Sequence, residues 1–131
     1  MAYRVLIADD EEIIRQGIEF LVERLDCSIV ERCANGQEVI RFLEQSPSGV
    51  DIIISDIRMA GADGLDIARY VSQNQIPVQV IFLTAYADFS YAKTAIEYSV
   101  TDFVLKSDIS EGLPRAVEKA KALLAQKQEE Q

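Results

Sequence analysis

A chain of 131 residues, 49% of them hydrophobic, carries enough apolar side chains for one compact domain of ordinary size. Its formal charge of −9 makes it a poor ligand for a nucleic-acid backbone, so any such contact is expected from another domain. Histidine is absent, which removes the commonest metal ligand and general base and excludes a phosphohistidine on this domain. The cysteines, Cys27 and Cys33, fit neither a zinc cluster nor a redox motif. They bracket one expected strand, where ~3.3 Å per residue sets them roughly 20 Å apart, too far for a disulfide. Reduced thiols point to the cytoplasm. No basic-then-apolar leader opens the sequence and no apolar run approaches the ~20 residues of a membrane helix, so a soluble, unanchored chain is expected.

In chain order, Val5 to Ala8 reads as a first strand and about Glu11 to Leu25 as a first helix, with Ile14, Ile18, Leu21, Val22 and Leu25 on one face. Ser28 to Arg32 is a more polar strand suited to a sheet edge. Asn35-Gly36 opens a second helix through Val39, Ile40 and Leu43, closed by Ser46-Pro47-Ser48-Gly49. The run Ile52 to Ser55 is a third strand, followed by a helix near Gly64 to Ser72 carrying Leu65, Ala68 and Val71. Val80 to Leu83 is a fourth strand, and the helix near Phe89 to Tyr98 carries Ala92, Ala95 and Ile96. Phe103 to Leu105 is the fifth, and a last helix from Leu113 to about Leu124 presents Leu113, Ala116, Val117, Ala120 and Leu124. Residues 1–124 are expected to form the domain, and 125–131 a polar tail or the start of a linker.

Strands recur about every 23 to 28 residues with helices between them, as parallel βαβ units require. Strands one, three and four are almost wholly apolar, as strands covered on both faces should be. The expected fold is α/β: a doubly wound, five-stranded parallel sheet in the order 2-1-3-4-5, a flavodoxin-like three-layer sandwich with its ligand edge at the carboxyl ends of the strands.

Four apolar runs end at that edge in chemically capable residues: Asp9 and Asp10, Asp56, Thr84 and Lys106. Each has an ordinary alternative. Asp9 with Glu12 has capping-box spacing, Asp56 and Thr84 suit turns, and Lys106 suits a solvated strand end. Together they differ, because crowded carboxylates need a cation to stay ionised, and magnesium prefers a few carboxylates, retained waters and a phosphate. Asp56 can then serve as a nucleophile forming an acyl phosphate, Thr84 as a donor to a phosphoryl oxygen, and Lys106 as the partner of Asp56 before reaction and of the phosphate after it.

Val5-Leu6-Ile7-Ala8-Asp9-Asp10-Glu11, Asp51 to Met59 with Asp63-Gly64, Leu83-Thr84-Ala85 and Phe103-Val104-Leu105-Lys106 together resemble the receiver domain of two-component response regulators, over nearly the whole chain. The resemblance implies that Asp56 accepts a phosphoryl group from the phosphohistidine of a sensor histidine kinase, and that Asp56, Thr84 and Lys106 carry the transfer. It implies Mg²⁺ held by Asp10 and Asp56, by Asp9 through water and by the backbone carbonyl of Arg58. It further implies a switch that couples Thr84 to Phe103; the surface expected to change is the fourth helix, fifth strand and fifth helix, around Tyr86, Phe89, Tyr98 and Phe103, which is also the face open to a receiver homodimer. The stretch Tyr86 to Ile96 looks like the subgroup that precedes an AraC-type helix-turn-helix DNA-binding domain, the basis for expecting transcription regulation as the output. A stand-alone receiver or phosphorelay intermediate is the alternative.

Two positions depart from the family. Ser107 follows Lys106 where proline, in a cis bond, is frequent; cis before serine costs ~2.5–4 kcal/mol, so trans is expected. Ala60 replaces a frequent proline, which leaves the loop after Asp56 less constrained. Other functions fit less well. An aspartyl-phosphate hydrolase of the haloacid-dehalogenase type needs an acid where Arg58 stands, a pseudo-receiver would have lost acid, hydroxyl or amine, and a flavin site needs a phosphate cradle where Asp9-Asp10-Glu11-Glu12 is acidic.

Overall fold

The computed structural model describes residues 2–85 and 89–129. Strands β1 (Tyr3–Ala8), β2 (Cys27–Cys33), β3 (Ile52–Asp56), β4 (Gln79–Thr84) and β5 (Asp102–Leu105) alternate with helices α1 (Glu12–Glu23), α2 (Gly36–Gln45), α3 (Gly64–Gln73), α4 (Phe89–Glu97) and α5 (Ile109–Glu129). The strands pair in parallel in the order β2-β1-β3-β4-β5, as expected for a doubly wound sheet. No helix among the described residues is long and apolar enough to cross a membrane.

The two-residue period of a strand sends alternate side chains to opposite faces, and both faces here are covered. Val5 and Ile7 of β1, Ile52 and Ile54 of β3, and Ile81 and Leu83 of β4 pack under Ile18 and Val22 of α1 and Leu113, Ala116, Val117 and Ala120 of α5. On the opposite face Leu6, Ile53, Val80 and Phe82 meet Val39 and Leu43 of α2, Ile67, Ala68 and Val71 of α3, and Ala95 of α4. Each fully buried Ile or Leu contributes about 1.5–3 kcal/mol, and it is on β1, β3 and β4 that such residues are concentrated. β2 is the polar edge: Ser28, Glu31 and Arg32 are exposed, while Cys27 and Cys33 at its two ends are buried, free thiols. Burial pushes the Cys33 thiol up to about 12, which leaves it protonated and unreactive at neutral pH.

Four helix expectations change. Ile96, assigned to the buried stripe of α4, is 79% exposed; Ala95 alone of its described neighbours on α4 reaches the core, because consecutive helical positions point about 100° apart. Ile67, not singled out as a core position, is fully buried in α3, whereas Leu65 is only partly buried. α5 starts at Ile109, directly after a 3-10 turn at Lys106–Asp108, with Pro114 inside the helix. It also continues through Glu129 rather than ending at Leu124, in keeping with the helix propensity of Ala125, Gln126 and Lys127. Helices α1, α3 and α4 are followed by non-glycine residues in left-handed backbone, Asp26 (φ 59°), Gln75 (φ 51°) and Ser99 (φ 55°).

Candidate functional site

Parallel register brings the four chemically capable strand ends to one edge. Ala8 pairs with Ser55, Asp56 with Leu83 and Thr84 with Leu105, so Asp9 and Lys106 each lie one residue beyond a paired position on either side of Asp56. Asp9, Asp56 and Thr84 are buried, Lys106 is partly buried and Asp10 is exposed. Asp9, Asp10 and Asp56 each bring a carboxylate oxygen within 4.8 Å of the others.

Asp9 is not a helix cap of the kind its spacing with Glu12 allowed. Its Oδ1 accepts the backbone N–H of Glu11 at 2.9 Å, an Asx turn between β1 and α1, and α1 has no side-chain cap from Glu11. The Asp9 carbonyl accepts the Arg15 guanidinium at 2.6 Å, which ties the same loop back to α1. Arg15 was not among the candidates; a solvent-face arginine has no sequence signal that distinguishes it.

Lys106 is the cation of the cluster. Its Nζ stands 3.0 Å from Asp9 Oδ2 and 3.0 Å from Asp56 Oδ2. With Ser107 rather than proline behind Lys106, the described backbone contains no cis peptide bond, as expected, and the ammonium reaches both acids. Burial lowers the pKa of Lys106, and the carboxylates of Asp56 and Asp9 raise it by more, so it stays charged. Burial raises the pKa of Asp9, opposed by the Glu11 N–H and Lys106 and reinforced by the charge of Asp56. Although Asp9 Oδ2 lies within ion-pair distance of Lys106, it has no aligned hydrogen-bond donor and is sealed from solvent. One ammonium among three carboxylates leaves the pocket acidic. An all-oxygen donor set with an under-coordinated buried oxygen fits a hard divalent cation such as Mg²⁺.

The loop after Asp56 is anchored despite Ala60. Ile57 N–H donates to the Leu83 carbonyl at 3.2 Å, Gly64 N–H to the Ile57 carbonyl at 2.9 Å and Gly36 N–H to the Ala62 carbonyl at 2.9 Å. Ile57 and Met59 are buried and the intervening Arg58 is exposed. Asp63-Gly64 now has a physical role: Asp63 caps α3 in a reciprocal capping box with Asp66, and Gly64 lies so close to β3 that a Cβ there would meet the Asp56 carbonyl at 2.8 Å. Phe103 is half-buried on β5 opposite Phe82, against the core on the α2–α4 face. Tyr86 lies outside the described residues.

A family model for the response regulator receiver domain matches residues 5–118. YesN of Bacillus subtilis (strain 168), an uncharacterised transcriptional regulatory protein, is 36% identical over 107 residues, covering 79% of this chain and 28% of YesN. The positive alginate biosynthesis regulatory protein of Pseudomonas aeruginosa is 37% identical over 118 residues, 88% of this chain and 46% of the relative. Among solved structures, the receiver domain of AraT, a response regulator from Geobacillus stearothermophilus, superposes with a TM-score of 0.84 at 34% identity, covering 98% of this chain and 99% of that one. The chain spans less than half the length of the curated relatives it matches. With the sheet order, the acidic edge and Lys106 in place, the chain belongs to the response regulator receiver domain family.

Proposed function

We propose that this receiver domain is a phosphoacceptor switch in which Asp56 takes a phosphoryl group from the phosphohistidine of a sensor histidine kinase. The observation that carries the reading is the contact of Lys106 Nζ with both Asp56 Oδ2 and Asp9 Oδ2 at 3.0 Å, inside a three-carboxylate pocket. An Asp56 carboxylate oxygen attacks phosphorus; the new P–O bond forms as the P–N bond breaks, and the donor imidazole leaves with that electron pair. Lys106 stays charged beside Asp56 and follows the negative charge onto the phosphoryl oxygens. The Thr84 hydroxyl donates to one of those oxygens. Asp10 and Asp56 directly, Asp9 through water and the Arg58 carbonyl would hold Mg²⁺. When bound, the metal neutralises charge on the transferring group. Slow hydrolysis of the acyl phosphate resets the switch, which makes the domain a signalling device with self-catalysed chemistry rather than a metabolic enzyme.

The output follows from movement of Thr84 and Phe103 and is read on α4, β5 and α5. Exposed Ile96 on α4 supports that surface as the site of a phosphorylation-dependent homodimer. The full protein acts in the cytoplasm, with residues 1–124 as receiver and 125–131 leading into a linker. It regulates transcription through an AraC-type DNA-binding domain; the sequence of residues 86–96 supports the domain type, and the likeness to YesN, a transcriptional regulatory protein, supports the output. The receiver itself, at −9, makes no direct nucleic-acid contact.

Incubation with acetyl phosphate and Mg²⁺ is expected to add one acid-stable, base-labile phosphate, seen by mass spectrometry and abolished by Asp56→Asn. Equal uptake by the variant would remove Asp56 from the nucleophile's role.

A further inference from the structure

The interior of β3 reads Ile52-Ile53-Ile54-Ser55 before Asp56, and every one of these residues is buried. Ser55 is the polar member, fully sealed from solvent, and its register neighbours are Ala8 on one side and Phe82 on the other. A hydroxyl in such surroundings needs a partner or it destabilises the fold. Ser55 Oγ donates to the backbone carbonyl of Asp56 at 2.7 Å. The same carbonyl is approached from α3, where a Cβ on Gly64 would stand 2.8 Å from it and 3.0 Å from the Ile57 Cα. The peptide between Asp56 and Ile57 is therefore held from three directions: its carbonyl by a hydroxyl from its own strand and by the first residue of α3, and its Ile57 N–H by the Leu83 carbonyl at 3.2 Å.

We propose that Ser55 is a positioning residue for phosphoryl transfer, an assignment that rests on the phosphoacceptor reading above and extends it. Rotation of the Asp56–Ile57 peptide would move the Asp56 carboxylate relative to Lys106, which meets it at 3.0 Å, and would redirect the chain toward Arg58. The Ser55 hydroxyl restrains that rotation at the carbonyl end, beside the Ile57 N–H bond to Leu83 at the other. It thereby sets both the aim of the nucleophile and the position of the Arg58 carbonyl that would complete the cation site. An apolar residue would pack among Ala8 and Phe82 equally well but would leave the carbonyl orientation to the helix contact and to the Ile57 N–H bond with the Leu83 carbonyl.

The test compares wild type, Ser55→Ala and Ser55→Thr, the last keeping the hydroxyl on a side chain suited to a strand. Two quantities are read on folded protein: the Mg²⁺ concentration for half-maximal heat in calorimetric titration without phosphodonor, and the rate of phosphate uptake from acetyl phosphate. Ser55→Ala is expected to raise the Mg²⁺ midpoint and slow uptake by about fivefold each, the equivalent of one ordinary hydrogen bond. Its melting temperature without Mg²⁺ should stay close to wild type, and Ser55→Thr should recover both quantities. Ser55→Ala with wild-type midpoint and uptake would overturn the assignment, as would a loss that Ser55→Thr fails to recover while folded. Should Ser55→Ala not fold, Ser55→Cys, of similar volume with a much weaker donor, carries the same comparison. A wild-type protein that binds Mg²⁺ but takes no phosphate would overturn the phosphoacceptor reading instead, and the Mg²⁺ midpoints would still decide the role of Ser55.

Discussion

Asp9 is fully buried beside Asp56, and its ionisation is costly despite Lys106 and the Glu11 N–H. Its pKa is higher in the folded than in the unfolded chain, so in the window between the two values the folded state holds the extra proton and stability falls as pH rises. Above that window the full cost of the buried charge is present. Asp9→Asn keeps the Oδ1 acceptor for Glu11 while removing the charge, and is expected to stabilise the metal-free protein at pH 7 by about 1 kcal/mol, about 4 °C in Tm. The gap should close as pH falls through the folded-state pKa, as thermal scans across pH would record; a gap that widens toward acid would contradict the assignment. Lys106 has the opposite dependence. Its pKa is raised on folding, so its stabilisation is complete below the unfolded value of 10.5 and is lost as pH rises through the folded one. Lys106→Met leaves Asp9 and Asp56 unpaired, and a loss of about 2 kcal/mol is expected in denaturant titrations without Mg²⁺.

At the level of elements, the close approach of α3 to β3 sets the loop that carries Arg58. Gly64→Ala would push a methyl against the Asp56 carbonyl, and a loss of about 1–3 kcal/mol follows because the obstacle is backbone rather than a flexible side chain. Gly17, exposed on α1 with nothing within 4 Å of a would-be Cβ, is the opposite case; Gly17→Ala should gain about 0.5–1 kcal/mol from helix propensity. Urea titration of the pair separates close packing from propensity, and equal signs would refute the contrast. The limits of α3 and α4 were legible to within one residue, although Gln75 and Ser99, rather than glycines, take the left-handed turn after each helix. On α4 Ala95 is buried as expected and Ile96 is not: Ile96 is as apolar as any core residue, and only the packing shows that, among the described side chains of the helix, Ala95 is the one turned inward.

For the molecule as a whole, the two cores hold a sheet whose carboxyl edge concentrates Asp9, Asp10 and Asp56 around one ammonium. A cation that binds there and not to the unfolded chain stabilises the fold by mass action, about 2.7 kcal/mol at one hundred times its Kd. Mg²⁺ is therefore expected to raise the Tm of wild type and to raise that of Asp10→Asn much less, read by differential scanning calorimetry. A net charge of −9 opposes association of two copies, so any dimer formed on phosphorylation should strengthen with salt near 0.15 M, measurable by sedimentation.

The alternation of apolar runs with helical periodicity was enough by itself to determine the α/β class, the five strands, the polar edge strand and the acids, hydroxyl and amine at the strand ends, because burial on two sheet faces imposes that pattern on composition. Asp9, Asp56, Thr84 and Lys106 were legible for the same reason: each interrupts an apolar run where its strand must end. Tertiary structure alone decided that Lys106 reaches Asp9 and Asp56 together, that Asp9 forms an Asx turn rather than a cap, that Arg15 meets the Asp9 carbonyl, and that Ser55 and Gly64 close on the Asp56 carbonyl. Those contacts join residues as far as 97 positions apart, Asp9 to Lys106, or depend on which way one hydroxyl or one carbonyl points. Local pattern carries no information about either, since both are set by strand register and by how closely a helix approaches the sheet.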